Sequence, residues 1–279
     1  MEEILRQAVQ AAVEAGSAIL DVYESDFAVT FKDDKSPLTE ADRRAHAVIV
    51  RRLGSSTYPL LSEEGRDIPF AERRAWETLW IVDPLDGTKE FIKRNGEFTV
   101  NIALVHKGRP VLGVIYVPVQ DTLYFAATKI GAYKLQKAQV TYTLGGPQTK
   151  IDLAGIMAAA APLQCRRATD LPYTIVGSRS HSSPELEEFV EMQRQSAPNL
   201  QFVAAGSSLK FCLVAEGRAH IYPRLAPTME WDTAAGQAIA ENAGATVQHW
   251  HSRNVLAYNK ESLLNPWFVV KPKPAEKVC

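Results

Sequence analysis

The fold of this chain is organised around residues 80–91, which read Trp80-Ile81-Val82-Asp83-Pro84-Leu85-Asp86-Gly87-Thr88-Lys89-Glu90-Phe91. An apolar run typical of a buried β-strand ends in two carboxylates, Asp83 and Asp86. The Gly87-Thr88 pair that follows can turn its backbone amides toward an anion. Pro, Asp and Gly are also ordinary turn residues, so this stretch alone is as compatible with a plain turn as with a phosphate site. Acidic residues elsewhere in the sequence favour the phosphate site.

Further carboxylates occur where predicted strands end or predicted helices begin. Asp42 follows Thr39 by three residues at a predicted helix start, a spacing that resembles a capping box. Glu63 follows a short predicted strand, and Asp232 opens a predicted helix over residues 232–243. Each has a structural alternative: a solvated turn for Glu63, and helix capping for Asp42 and Asp232.

These carboxylates together predict a metal site. Like charges at close quarters raise each other's pKa, so such a cluster stays ionised only beside cations. Oxygen ligands without His or Cys select hard ions, and Mg²⁺ is the usual ion where a phosphate is bound. The predicted cluster contains Asp42, Glu63, Asp83, Asp86 and Asp232.

The composition is that of an ordinary globular protein and excludes several classes. Among 279 residues, 46% are apolar and 23% charged, and 31 Lys and Arg nearly balance 32 Asp and Glu, so nothing indicates a nucleic-acid partner. Three widely spaced cysteines predict neither a disulfide framework nor a zinc site. The acidic start, Met1-Glu2-Glu3, is wrong for a signal peptide, and no apolar run is long enough to span a membrane. We expect a cytoplasmic protein, with peripheral attachment to the inner membrane left open.

Periodicity predicts an α/β (α+β layered) fold. Apolar residues recur at helical spacing over residues 3–24 and predict one long helix. Residues 97–135 alternate in the manner of strands and predict an antiparallel meander. After a polar, Ala-rich stretch over 136–172, strands and helices alternate to the end. We therefore expect two subdomains, 1–150 and 151–279.

In order and in kind, these motifs resemble the inositol monophosphatase superfamily of Mg²⁺-dependent, lithium-sensitive phosphatases. Lys89-Glu90-Phe91 after the Gly-Thr pair is similar to the 3'(2'),5'-bisphosphate nucleotidase branch. The segments that carry the resemblance are Ser36-Pro37 with Thr39 to Asp42, Glu63-Glu64, Asp83 to Thr88, Gly177 to His181, Gly206 to Lys210, Tyr222 to Arg224, Trp231 to Gly236 and Tyr258 to Glu261.

The resemblance implies an αβαβα sandwich in which the N-terminal subdomain carries most metal ligands. It implies two Mg²⁺ ions, with a third left open, and the implied ligands are Glu63, Asp83, the carbonyl of Leu85, Asp86 and Asp232. Thr88 and Asp42, with Glu63, would be the catalytic residues that orient and deprotonate the attacking water. Whether Glu64 is a ligand stays open.

The resemblance also implies a nucleotide pocket. Its implied substrate-binding residues are Leu85, Asp86, Gly87, Thr88, His181, Ser207, Lys210, Arg224 and Asp232, of which His181, Ser207, Lys210 and Arg224 would face the nucleotide and its non-reacting phosphate. Structural alternatives exist for three of these: helix capping for Ser207, a solvated helix position for Lys210 and a surface charge for Arg224.

The implied activity is Mg²⁺-dependent hydrolysis of adenosine 3',5'-bisphosphate, and of related phosphonucleotides, to AMP and phosphate by metal-activated water. In a cell this would clear a by-product of sulfate activation or sulfotransfer. Two alternatives stay open: an inositol, sugar or NADP phosphatase of the same superfamily, and a catalytically silent nucleotide or metal sensor. The expected partner is a small phosphorylated nucleotide, with a homodimer left open.

Overall fold

A computed structural model describes residues 1–26, 29–31, 37–54, 56–136, 152–165, 172–180 and 183–274. Its helices are α1 (Glu2–Tyr23), α2 (Glu40–Leu53), α3 (Phe70–Arg73), α4 (Thr88–Ile92), α5 (Leu153–Ala159), α6 (Pro184–Ser196), α7 (Leu209–Ala215) and α8 (Ala234–Asn242). Its strands are β1 (Val29–Phe31), β2 (Pro37–Thr39), β3 (Leu60–Ser62), β4 (Thr78–Asp86), β5 (Thr99–His106), β6 (Arg109–Val117), β7 (Thr122–Ala127), β8 (Gly131–Leu135), β9 (Ala161–Pro162), β10 (Thr174–Ser178), β11 (Gln201–Ala205), β12 (Tyr222–Arg224), β13 (Ala245–His249) and β14 (Phe268–Pro272).

The larger sheet carries the acidic stretch. Its strands run in the order β3-β4-β5-β6-β7-β8-β9, and only β3 and β4 are parallel neighbours. Ser62 pairs with Val82, and the amide of Glu63 donates to the carbonyl of Val82 at 3.2 Å. Because the two parallel strands end at the same edge, Glu63 and Asp83 are delivered side by side, as the sequence predicted.

Both faces of this sheet are covered, which explains the uninterrupted apolar run of β4. Successive side chains of a strand point to opposite faces. Trp80 and Val82 pack with α1 and α2 in one core cluster, whereas Leu79 and Ile81 pack with α7 and α8 in another. The close approach of α8 requires Gly113 in β6, since a Cβ there would lie 2.4 Å from the carbonyl oxygen of Ala235.

The second half builds a smaller layered unit. β10 and β11 are parallel, while β12, β14 and β13 form an antiparallel sheet, and a bridge between Ile175 and Ile221 joins the two. α6 packs on their outer side through Leu186, Phe189 and Val190. The layers therefore alternate αβαβα, as the resemblance implied.

The expected subdomain boundary at 150 and 151 lies outside the described residues. Beyond it, β9 returns to the large sheet and pairs with β8. The division into two subdomains stays a prediction. Within the described ranges, no helix combines the length and apolarity that crossing a membrane needs.

Candidate active site

Three carboxylates from distant parts of the chain meet at the edge of the large sheet. Glu63 follows β3, Asp83 lies in β4, and Asp232 lies two residues before α8. One carboxylate oxygen from each lies within 4.8 Å of the others. Glu64 is not part of this group, which contains three of the five carboxylates in the cluster predicted from the sequence.

Asp86 lies beside this group, after a bulge in β4. Asp83 pairs with Asn101 but Asp86 pairs with Thr99, so three steps along β4 face two along β5. Oδ2 of Asp86 then accepts hydrogen bonds from Asn101 Nδ2 at 3.2 Å and Ser208 Oγ at 3.0 Å. The Ser208 hydroxyl also lies 2.8 Å from the carbonyl oxygen of Asp232, so it bridges two candidate ligand residues.

The electrostatics of this group fit a hard cation. Burial, then the charges of Asp86 and Glu63, raise the pKa of Asp232 to about 8. Burial and the charge of Glu63 also raise the pKa of Asp83 well above its usual range. Burial raises the pKa of Asp86 too, although Lys210 opposes the shift. Carboxylates that resist ionising together form a donor set that a divalent cation with oxygen ligands satisfies.

Asp42 and Thr88 form a hydroxyl and carboxylate pair beside this group. Oδ2 of Asp42 accepts from the amide of Thr39 at 2.7 Å and from its hydroxyl at 2.6 Å, which completes the predicted capping box. Oδ1 of Asp42 remains for the hydroxyl of Thr88, which donates to it at 3.4 Å. Burial raises the pKa of Asp42 to about 6, against the opposing effect of the Thr39 hydrogen bonds. The two oxygens of Asp42 therefore have separate partners: one caps α2 and the other accepts from Thr88.

Gly87 makes the turn between these groups. Its φ of 94° lies in the left-handed region, and it caps the five-residue helix α4 that begins with Thr88. A Cβ there would lie 3.3 Å from Oε2 of Glu90 and from Cβ of Ser207. Glycine is required at this position for its backbone conformation, which a side chain would strain.

A cavity of about 480 Å³ is lined by the acidic group and by two cationic side chains, Lys210 and Arg224. Lys210 is 5% exposed, and its ammonium group donates to the carbonyl oxygens of Ser207 and Ala205. Burial lowers the pKa of Lys210 to about 8, so the group stays charged at neutral pH. Arg224 is 9% exposed, and its Nη2 donates to the carbonyl of Pro227 at 2.6 Å.

The structure excludes the purely structural roles that the sequence left open for four of the predicted site residues. Ser207 is not a helix cap: its φ is 39°, and the N-cap of α7 is Ser208. Lys210 is not solvated and Arg224 is not a surface charge, since both are buried. Asp232 does not begin the helix, because the N-cap of α8 is Thr233. Instead, its Oδ2 accepts from the amide of Met229 at 2.9 Å.

Most of the predicted site residues line one cavity. They are Glu63, Asp83, Leu85, Asp86, Gly87, Thr88, Ser207, Lys210, Arg224 and Asp232. Asp42 reaches the cavity wall through Thr88. His181 lies outside the described residues.

Sequence reasoning missed two polar residues that position Asp86. Asn101 lies within the predicted antiparallel meander, and its only signal is an amide within the apolar run of β5. Ser208 lies within the segment Gly206 to Lys210, but no spacing in the sequence indicates that its hydroxyl contacts Asp86.

Comparison with known proteins identifies the family of this chain. Residues 1–278 match the inositol monophosphatase family. The 3'(2'),5'-bisphosphate nucleotidases CysQ of Salmonella typhimurium and of Escherichia coli K12 are each 45% identical to this chain, covering 96% of it and 99% of their own lengths.

Solved structures of similar proteins share the fold of this chain. The crystal structure of CysQ from Bacteroides thetaiotaomicron superposes with a TM-score of 0.89 and 49% identity, covering 98% of both chains. Extragenic suppressor protein suhB from Bartonella henselae shares the fold at 23% identity, with a TM-score of 0.71, over 97% of this chain and 94% of its own. The chain therefore belongs to the inositol monophosphatase family, whose members are generally Mg²⁺-dependent.

Proposed function

We propose that this protein is a Mg²⁺-dependent 3'(2'),5'-bisphosphate nucleotidase that hydrolyses adenosine 3',5'-bisphosphate to AMP and phosphate. The observation that carries the proposal is one cavity that is lined both by candidate metal ligands and by two buried cations. The cations are Lys210 and Arg224. The similarity to bisphosphate nucleotidases at 45% identity supports the same substrate class.

The acidic group is suited to the phosphate that is cleaved. Glu63, Asp83 and Asp232, with Asp86 and the Leu85 carbonyl, are the residues that would hold the metal, for which we propose two ions. When bound, Mg²⁺ lowers the pKa of water and neutralises charge that develops on the phosphoryl group.

Asp42 and Thr88 are proposed to prepare the attacking water. The Thr88 hydroxyl can accept a hydrogen bond from water while it donates its own proton to Oδ1 of Asp42. A water proton can then pass to Asp42, whose pKa of about 6 leaves it ionised at neutral pH yet basic enough to receive it. No covalent enzyme intermediate is required, because phosphoryl transfer depends mainly on positioning and charge stabilisation.

The cationic side chains distinguish this substrate from a monophosphate. Burying a guanidinium and an ammonium costs free energy unless they gain partners, and an anionic ligand provides such a partner. A substrate with a single phosphate, bound by the candidate metal ligands, would leave the buried Nε–H of Arg224 without a hydrogen-bond partner. A second phosphate on the same ligand provides that partner.

Phosphate release from adenosine 3',5'-bisphosphate tests the proposal. Wild-type protein should release phosphate with Mg²⁺ and not with EDTA, and Asp83→Asn should lower kcat by at least about 10²-fold because it removes a candidate ligand charge. Glu72→Gln, an exposed change outside the cavity, is the matched control. Normal turnover by Asp83→Asn would refute the assignment of the acidic group, and no turnover by wild type would refute the proposed activity.

A further inference from the structure

Two buried polar atoms in the wall of the cavity have no hydrogen-bond partner. They are Nε of Arg224 and Oγ1 of Thr228. Every other buried side-chain N or O atom of the described ranges has a hydrogen-bond partner. Both residues line the cavity and are 9% exposed. Buried polar groups in folded proteins are nearly always paired, so two unpaired atoms on one wall indicate a ligand.

The wall that carries Thr228 is fixed from both sides. The amide of Asn265 donates to the carbonyl of Thr228 at 2.8 Å, and Nδ2 of Asn265 donates to the carbonyl of Met229 at 2.8 Å. The amide of Met229 in turn donates to Oδ2 of Asp232 at 2.9 Å. The Thr228 hydroxyl is therefore held in place by backbone contacts, and none of these contacts uses the hydroxyl itself.

The same short segment also holds Arg224. Its Nη2 donates to the carbonyl of Pro227, the residue before Thr228. This contact anchors the guanidinium by one nitrogen and leaves its Nε–H unpaired. The two unpaired atoms are thus attached to one segment, four residues apart in sequence.

The chemistry of the two atoms selects an anionic oxygen. Nε–H of arginine only donates, and its group carries a positive charge. A threonine hydroxyl donates as well, and hydrogen bonds from such donors to phosphate oxygens are strong because the acceptor is charged. A neutral sugar hydroxyl would form a weaker hydrogen bond with this charged donor than an anionic oxygen does.

We propose that Thr228 is a specificity-determining residue whose hydroxyl, together with Nε–H of Arg224, binds the phosphate that is not hydrolysed. This inference rests on the proposed function. Thr228 then selects bisphosphorylated nucleotides over 3'-monophosphates, and it does so without acting on the cleaved phosphate. The link through Met229 to Asp232 fixes the distance between the two phosphate sites.

The test compares adenosine 3',5'-bisphosphate with 3'-AMP, which keeps the sugar, base and cleaved phosphate and lacks only the 5'-phosphate. Thr228→Val keeps the shape and removes the hydroxyl. It should raise KM for the bisphosphate about tenfold, leave kcat within about twofold, and leave KM for 3'-AMP unchanged. Thr228→Ser should restore most of the affinity because it restores the hydroxyl.

Thr246→Val is the matched control, since its hydroxyl bonds the carbonyl of Lys271 outside the cavity. Equal changes of KM for both nucleotides, or no change for either, would overturn the role of Thr228. Wild-type turnover of the bisphosphate tests the proposed function separately. A competition measurement with 5'-AMP gives a second readout: its inhibition constant should rise about tenfold in Thr228→Val, and an unchanged constant would contradict the inference.

Discussion

The Thr88 hydroxyl donates to Oδ1 of Asp42 across 46 residues of sequence. The other oxygen of the same carboxylate caps α2 through Thr39. One side chain therefore caps the start of α2 with one oxygen and accepts from Thr88, a residue that lines the cavity, with the other. This arrangement holds the Asp42 carboxylate in place and leaves one of its oxygens available, which its proposed role as proton acceptor requires.

Asp42→Asn should lower kcat by about 10²- to 10⁴-fold, because an amide cannot accept the proton. Its carbonyl oxygen can still accept one hydrogen bond from Thr39, so the fold should persist. Steady-state phosphate release measures the effect, and circular dichroism checks the fold. Glu40→Gln, a neighbouring and exposed position, is the control. A folded Asp42→Asn enzyme with normal kcat would exclude Asp42 as the proton acceptor.

Ser208→Ala should weaken Mg²⁺ activation. The Ser208 hydroxyl bonds Oδ2 of Asp86 and the carbonyl of Asp232, and groups that orient metal ligands typically change metal affinity by about 10- to 100-fold. The side chain makes no capping hydrogen bond to α7, so the helix should be unaffected. Titration of activity with Mg²⁺ gives the concentration for half-maximal rate, with Ser17→Ala on α1 as the control. An unchanged Mg²⁺ concentration for half-maximal rate would mean that Ser208 does not orient the candidate metal ligands.

Gly206→Ala should damage both stability and substrate binding. A Cβ there would lie 2.7 Å from the carbonyl oxygen of Glu97 and 3.0 Å from Cγ of Glu90, so the turn that carries Ser207 must move. We expect a loss of about 1 to 3 kcal/mol in urea denaturation and a raised KM. Gly244→Ala controls for stability loss alone, because its φ of 97° strains an alanine while nothing lies within 4 Å. A Gly206→Ala protein with unchanged KM would show that the turn does not position the pocket.

Without metal, the protein should be less stable at pH 7.5 than at pH 5.5. The pKa of Asp42 is raised from 3.8 to about 6, and that of Asp232 from 3.8 to about 8. For each group, the window runs from pH 3.8 to its raised pKa, and within it the folded state holds a proton that the unfolded state has released. The free energy of unfolding therefore falls as pH rises through this window. Lys210, with its pKa lowered to about 8, contributes the opposite slope only at higher pH.

Thermal unfolding in EDTA at the two pH values measures this difference. Mg²⁺ should raise Tm more at pH 7.5 than at pH 5.5, because ligands must lose their protons to bind metal. Asp21→Asn, an exposed change on α1, should leave the pattern intact. A higher Tm at pH 7.5 than at pH 5.5 without metal would contradict the raised pKa values.

Local rules were sufficient for the acidic group of the site. Apolar runs that stop at Glu63 and Asp83 predict strand ends, and parallel neighbours end at one edge of a sheet. Thr39 and Asp42 predict a capped helix by their spacing alone. These features depend on contacts between residues close in sequence or on the regular geometry of one sheet.

The cavity wall could not be predicted in the same way. For Lys210 and Arg224, the residue pattern alone leaves open a solvated or surface position, and only the resemblance places them in a nucleotide pocket. Their burial depends on how the second sheet packs against α7. The positive φ of Ser207 and the unpaired hydroxyl of Thr228 likewise follow from tertiary contacts. Such features have no periodic signal, because they depend on residues that are brought together from several elements.

The ratio of kcat/KM for adenosine 3',5'-bisphosphate to that for inositol 1-phosphate, measured with Mg²⁺, tests the central claim most directly. If Arg224 and Lys210 provide a second phosphate site, the bisphosphate should be preferred by about 10²-fold or more, since each charged hydrogen bond contributes roughly 1.5 to 3 kcal/mol. A ratio near one, or a preference for inositol 1-phosphate, would contradict the assignment as a bisphosphate nucleotidase.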